Sequence, residues 1–185
     1  MKEDIKIAIS GRSGCGNTTV SKMVADSLGL RFINFTFRSL AKERGLDLKK
    51  VLELAAADDS WDREVDSRQV ALAREGGGCV LGSRLAIWLL VEADLKVYLK
   101  AGAQTRAARI VKREGGNLEE IAAFTAERDR QDHGRYLHIY NIDTDDYSFA
   151  DLIIETDDIS PQEITDLIIE KARKINRLDI PMTPC

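Results

Sequence analysis

Residues 5–19, IKIAISGRSGCGNTT, constrain this chain more than any other stretch. Ile5, Ile7 and Ile9 read as a short strand that runs into the glycine-rich turn Gly11-Arg12-Ser13-Gly14-Cys15-Gly16. Two hydroxyls, Thr18 and Thr19, lead into the helical pattern VSKMVADSLG. Strand, glycine loop and helix in that order form a phosphate-binding loop. Glycines let the backbone turn its N–H groups towards phosphate oxygens, and the helix N-terminus adds partial positive charge. One position departs from the Gly-x-x-x-x-Gly-Lys-Ser/Thr pattern: Asn17 stands where the lysine belongs. The loop therefore lacks its usual fixed charge. The plainer alternative is a glycine turn between any strand and helix, and the arginines described below argue against it.

The bulk sequence narrows the class. A chain of 185 residues with 44% hydrophobic content makes one domain with a packed core. A net charge of −4 excludes an overall nucleic-acid footprint. No apolar run is long enough to span a membrane, and MKEDIKIAIS has no secretory h-region. The three cysteines, Cys15, Cys79 and Cys185, form neither a zinc pattern nor a disulfide framework, which points to a reducing cytoplasm. Cys15 reads as a small residue that fits the loop rather than as an oxidation sensor.

Short apolar runs at Ile5–Ser10, Arg31–Asn34, Cys79–Gly82, Leu95–Lys100 and Leu152–Thr156 are strand candidates. Helical stretches separate them: Thr18–Leu28, the FRSLAKER segment, Leu48–Ala57, Trp61–Arg74, Gln104–Glu114, Leu118–Gly134 and a last helix from Pro161 to about Arg177. Gly29 and Gly45 are C-terminal caps, and Ser160 with Glu163 has capping-box spacing. The tail LDIPMTPC reads as frayed. Alternating strands and helices predict an α/β fold: a five-stranded parallel sheet with helices on both faces.

Positive charge is clustered. Arg106, Arg109 and Arg113 share one helix face, as do Arg128, Asp132 and Arg135, and Gly115-Gly116 lies between the two segments. A single exposed arginine is usually just a solvated side chain. Two such faces beside a phosphate loop read instead as a mobile arginine-bearing flap. Phosphoryl transfer needs one, because its transition state spreads negative charge over the moving group and water must be kept out. Asp143, Asp145 and Asp146 fail the calcium-hand pattern and read as a solvated turn. His133 and His138 lack metal-ligand partners in the sequence, and Trp61 and Trp88 read as packing residues.

The blocks ISGRSGCGNTT, FRSLAKERGL, WDREVDSRQ, GSRLAIWL, ADLKVYLKA, RAARIVKREG, ERDRQDHGRY and IYNIDTDDYSFADLIIET together resemble a cytidylate kinase of the archaeal type, within the nucleoside monophosphate kinases. The resemblance covers nearly the whole chain. It implies a P-loop kinase core at roughly 1–35, 78–105 and 150–178, monophosphate-binding helices at roughly 36–77 and a lid at roughly 106–135. It implies ATP and Mg²⁺ as cofactors, with Gly11, Arg12, Ser13, Gly14, Cys15, Gly16, Asn17, Thr18 and Thr19 cradling the ATP phosphates and Thr18 near the metal. Arg38 matches the arginine that grips the acceptor phosphate, while Arg84 and Asp132 match residues near the cytosine ring. Arg128 and Arg135 match arginines at the acceptor phosphates, and Arg109 and Arg113 belong to the lid. Asp62 lies in the monophosphate-binding helices.

A carboxylate can accept from the cytosine amine and an arginine can donate to its acceptors, whereas uracil presents the opposite pattern. The expected reaction is transfer of the ATP γ-phosphoryl group to CMP or dCMP by a cytoplasmic monomer whose partners are nucleotides, neither nucleic acid nor membrane. The alternatives are a kinase of the same fold acting on AMP, shikimate or gluconate, and a regulatory nucleotide-binding module that lost turnover with the lysine. Either Arg12 or a lid arginine has to cover the missing charge for turnover to persist.

Overall fold

The computed structural model describes residues 4–178. Five strands form one sheet: β1 (Lys6–Gly11), β2 (Arg31–Ile33), β3 (Cys79–Gly82), β4 (Leu95–Lys100) and β5 (Leu152–Glu155). Every neighbouring pair is parallel and the order is β2-β3-β1-β4-β5. The expected α/β architecture with a five-stranded parallel sheet is therefore present. β1 sits in the middle, which explains its near-continuous apolar composition: its residues from Ile7 onward are all buried, because helices cover both sheet faces.

One face packs against α1 (Asn17–Leu28) and α8 (Pro161–Leu178). Ile5, Ile7 and Ile9 meet Val20, Val24, Ile164, Ile168 and Ala172 there. The opposite face gathers Ala8, Leu81 and Tyr98 against Ala73 of α4 (Ser60–Arg74) and Ile87 of the short α5 (Ala86–Leu89). Period-two alternation along β1 thus feeds two separate cores. α2 (Phe37–Arg44) and α3 (Leu48–Ala57) complete the helices between β2 and β3. Phe35, Leu40 and Val65 form a third small core beneath them. Trp88 packs edge-on against Tyr98 and Phe149, which supports its reading as a packing residue.

The caps follow the sequence. Gly29 and Gly45 end α1 and α2 in the left-handed region at φ 65° and 63°. Ser160 Oγ accepts from the Glu163 N–H at 3.2 Å while Glu163 Oε2 accepts from the Ser160 N–H at 2.8 Å, a reciprocal capping box. Past β4, α6 (Ala103–Glu114) and α7 (Leu118–Tyr140) pack together across the Gly115-Gly116 break. Here one expectation is corrected: α7 does not stop near Gly134 but runs 23 residues to Tyr140. An interior glycine costs about 1 kcal/mol relative to alanine, and burial of Tyr136 and Ile139 beyond it offsets that cost. The short α5 was not legible in the sequence. The tail expectation for 179–185 lies outside the described residues.

Ile168 is fully buried and ties α8 to the central strand. Ile168→Ala is expected to cost about 2–5 kcal/mol, read as a lower midpoint in denaturant unfolding.

Candidate active site

The glycine loop leaves the C-terminal end of β1 and enters α1 through Gly16, which has φ 96°. α2, α3 and α7 have side-chain N-caps in Thr36, Asp47 and Asn117, but α1 has none. Its first-turn N–H groups are left for a ligand, and an anion is the ligand they suit. Thr18 and Thr19 lie exposed at this end. The loop cannot be loosened by substitution. A Cβ on Gly14 would come within 2.7 Å of the Arg106 carbonyl oxygen, and one on Gly11 within 2.5 Å of both Cys15 Sγ and the Leu99 carbonyl oxygen.

Asn17 does not act as a lysine substitute aimed at phosphate. Its amide donates to the carbonyls of Ile9 at 3.0 Å and Ser83 at 3.1 Å, and its oxygen accepts from Ser21 Oγ at 2.8 Å. It stitches the first turn of α1 to the ends of β1 and β3. Arg12 also lines the cleft and pairs with Asp145, with Asp129 at 3.7 Å. Arg109 reaches beneath the loop instead, donating to the Cys15 carbonyl at 3.4 Å and to Thr156 Oγ1 at 3.0 Å, with a further bond to the Thr156 carbonyl. Cys15 is buried, and burial pushes its thiol up to about 11. This supports the packing role over a redox one.

Sequence reasoning noted Arg106 but missed its importance. It is 4% exposed, donates to the Ser13 carbonyl at 3.0 Å and pairs with Asp129 at 2.7 Å. Asp129 and Thr156 carried no sequence signal, because each meets its arginine only through the fold.

The loop borders a cleft of about 910 Å³ whose other walls come from α4, α7 and the Ser83-Arg84 segment after β3. Arg84, Arg128 and Arg135 converge there on one carboxylate. Asp132 pairs with Arg84, lies 3.0 Å from Arg135 Nη2 and 4.0 Å from Arg128 Nε. Burial, then repulsion from Arg84, lowers the Arg128 pKa, and Arg135 adds to that repulsion. These three cations outnumber the carboxylates beside them, Asp132 and, 3.6 Å from Arg135, Asp62, which leaves net positive charge facing the cleft. Arg109, Arg113 and Asp62 also line it. Arg113 is engaged only by the adjacent Glu114 among the described residues, and its side chain is 64% exposed. Arg38 does not join the others: it is exposed at the start of α2, outside the cleft lining. Asp132 and Arg84, expected beside a base, both line the cleft and pair with each other.

Deeper in the cleft, Asp62, Asp66 and Gln69 share one face of α4. Tyr140 donates to Asp66 at 2.8 Å and Gln69 donates to it at 3.2 Å. Burial pushes Asp66 up to about 6, partly opposed by the Tyr140 hydrogen bond. On the far side, His133 lies 3.7 Å from Asp143 and 3.9 Å from Asp145, a proximity its sequence position concealed. Asp145 is already engaged by Arg12.

A profile of the cytidylate kinase-like family matches residues 6–158. The chain belongs to that family. A cytidylate kinase 2 of Borreliella afzelii is 47% identical over 93% of this chain and 98% of its own length. A cytidylate kinase of Pyrococcus horikoshii is 42% identical over 88% of this chain and 85% of its own. Among solved structures, a shikimate kinase from Bacteroides thetaiotaomicron superposes with a TM-score of 0.61 at 15% identity, covering 94% of this chain and 98% of that one. The last likeness concerns the fold, which is that of the P-loop kinases. Within the cytidylate kinase-like family, this member carries Asn17 in its phosphate loop and satisfies it entirely with protein partners.

Two outcomes follow. Asn17→Ala leaves the Ser83 carbonyl without the Asn17 donor and the Ile9 carbonyl with only the Ser83 N–H, and is expected to cost about 1–3 kcal/mol, read by thermal unfolding. Asp66 has a folded-state pKa of about 6, above its ordinary 3.8, so its ionisation opposes folding. Stability is expected to fall by up to about 3 kcal/mol as pH rises from about 4 to about 6, a decline that Asp66→Asn should lack in parallel denaturant titrations.

Proposed function

We propose that the chain transfers the γ-phosphoryl group of ATP to CMP or dCMP, giving ADP and CDP or dCDP. The observation that carries this reading is the net cationic cluster of Arg84, Arg128 and Arg135 in one cleft with the uncapped N-terminus of α1. Two anion sites facing one cavity suit a donor triphosphate and an acceptor monophosphate. Family membership and relatives named cytidylate kinase supply the acceptor.

In this reading Gly11 to Thr19 bind the donor phosphates through backbone N–H groups. Arg128 and Arg135 hold the acceptor phosphate, and Asp132 keeps the guanidiniums fanned and aligned. Residues 36–77 bind the monophosphate and 106–135 form the lid, which spans most of α6, the Gly115-Gly116 break and most of α7. Arg38 reaches the acceptor only if α2 moves on binding. Arg109 supplies positive charge beneath the loop, and the exposed Arg113 is free to swing onto the transferred group. Together they take over the role of the missing lysine. Positioning and charge neutralisation of this kind dominate phosphoryl transfer.

Mg²⁺ fits this site: among the described residues the Thr18 hydroxyl is exposed at the α1 N-terminus without a protein hydrogen-bond partner. When bound, the ion would be held by Thr18 and would supply charge neutralisation at the nucleotide phosphates. In this reading the protein is a monomer working in the cytoplasm on small nucleotides.

The test is ADP formation from ATP and Mg²⁺ with CMP, dCMP, UMP, AMP and GMP. Turnover on CMP and dCMP is expected. Turnover on AMP would remove the pyrimidine reading, and ATP binding without any turnover would favour a regulatory module. Arg128→Gln is expected to lower kcat by about 10²–10³, with the fold checked by circular dichroism.

A further inference from the structure

Buried polar atoms in native proteins are almost always hydrogen-bonded, so each exception calls for an explanation. Asp62 Oδ2 and Gln69 Oε1 are two such exceptions, and both belong to cleft-lining side chains, 3% and 4% exposed. They sit two helical turns apart on the same face of α4. Neighbouring groups fix what each can still do. Gln69 spends its amide N–H on Asp66, which turns its oxygen into a spare acceptor. Asp62 has Arg135 Nε 3.6 Å from its Oδ1, so that oxygen has a cation to close on. Oδ2 does not. Arg135 Nε is itself without a partner. Among the described residues the cleft wall therefore holds two unfilled acceptors, and the unpartnered donor beside them, Arg135 Nε, faces the other Asp62 oxygen.

We infer that Asp62 and Gln69 read the exocyclic amine of the acceptor's base, and that this pair sets the preference for cytosine over uracil. The inference rests on the phosphotransfer reading above and names the determinant of its substrate class. An amino group carries two N–H donors and needs acceptors such as these opposite it. Uracil places a carbonyl at the same ring position, which would set an acceptor against a carboxylate. A site built to hydrogen-bond one group rejects the analogue that lacks it far more strongly than an apolar pocket does. Asp132, the other acidic candidate, is already shared by Arg84 and Arg135, with Arg128 at 4.0 Å. Asp66 is a positioning residue: Tyr140 and Gln69 both bond to it, and through it the Gln69 amide is held with its oxygen outward.

The experiment compares the full chain with Asp62→Asn, which keeps the shape but can place an N–H₂ where the acceptor was. Kinetics with CMP, dCMP and UMP are run alongside calorimetric binding of the three monophosphates. The CMP-to-UMP ratio of kcat/KM is expected to fall about tenfold or more, while the CMP-to-dCMP ratio stays put. Equal losses on CMP and UMP would overturn the inference. So would a change confined to CMP against dCMP, since that would place the ribose hydroxyls at these oxygens. Should Asp62→Asn fail to fold, Gln69→Met is read in the same way by calorimetry. Binding separates the two readings. A wild-type chain that binds CMP over UMP without turning it over removes the kinase reading and keeps this one. A wild-type chain that binds neither removes both.

Discussion

A guanidinium taken out of water sets the shape of the donor site. Arg106 is almost wholly buried, and such a charge persists only where partners surround it. It finds them in the Ser13 carbonyl and the Asp129 carboxylate, and so clamps the glycine loop to α7. The close approach of Gly14 to the Arg106 backbone belongs to the same clamp, since a side chain there would push the two apart. Loop geometry, the packing of α6 on α7 and the placement of the cleft arginines all depend on this one buried pair. Breaking it by removing Asp129 would strand the charge, which is the costly way to lose a buried pair.

The cleft is built on the opposite principle. Its cations are left undercompensated, with Asp132 the shared counter-ion of Arg84, Arg128 and Arg135. A fully neutralised cluster would bind an anion weakly, because each cation would have to leave a partner first. An unscreened cluster would repel itself apart. Asp132 among three guanidiniums, with Asp62 beside Arg135, holds them in place and still leaves net positive charge. The missing loop lysine fits this pattern: charge has been moved from the loop to the helices around it, and Asn17 does structural work at the loop's base.

Much of the fold was legible because local signals agreed with it. The five apolar runs became the five strands, and Gly29, Gly45 and the Ser160–Glu163 box marked helix ends where physics needs them. α7 was read too short because Gly134 resembled a terminator, while the packing that carries the helix past it is tertiary. The site was legible as residue types but not as depths. Arg106, Arg109 and Arg113 share a helix face on paper, yet the first is buried, the second reaches under the loop and the third stands in solvent. Helical periodicity gives direction around an axis and says nothing of how that axis leaves the core. The partners of Asn17 and the vacant acceptors of Asp62 and Gln69 were beyond reach for the same reason, since each depends on what another element places opposite.

One feature ties these threads into a lever. α7 bears Asp129, which grips the glycine loop through Arg106, and about one and two turns further on Asp132 and Arg135, which line the cleft. A rod of 23 residues without a break cannot tilt at one of these points and stay still at the other. Mutational drift along it would therefore be felt by both halves of the reaction together, so evolution has no easy way to retune one substrate of this protein while leaving the other untouched.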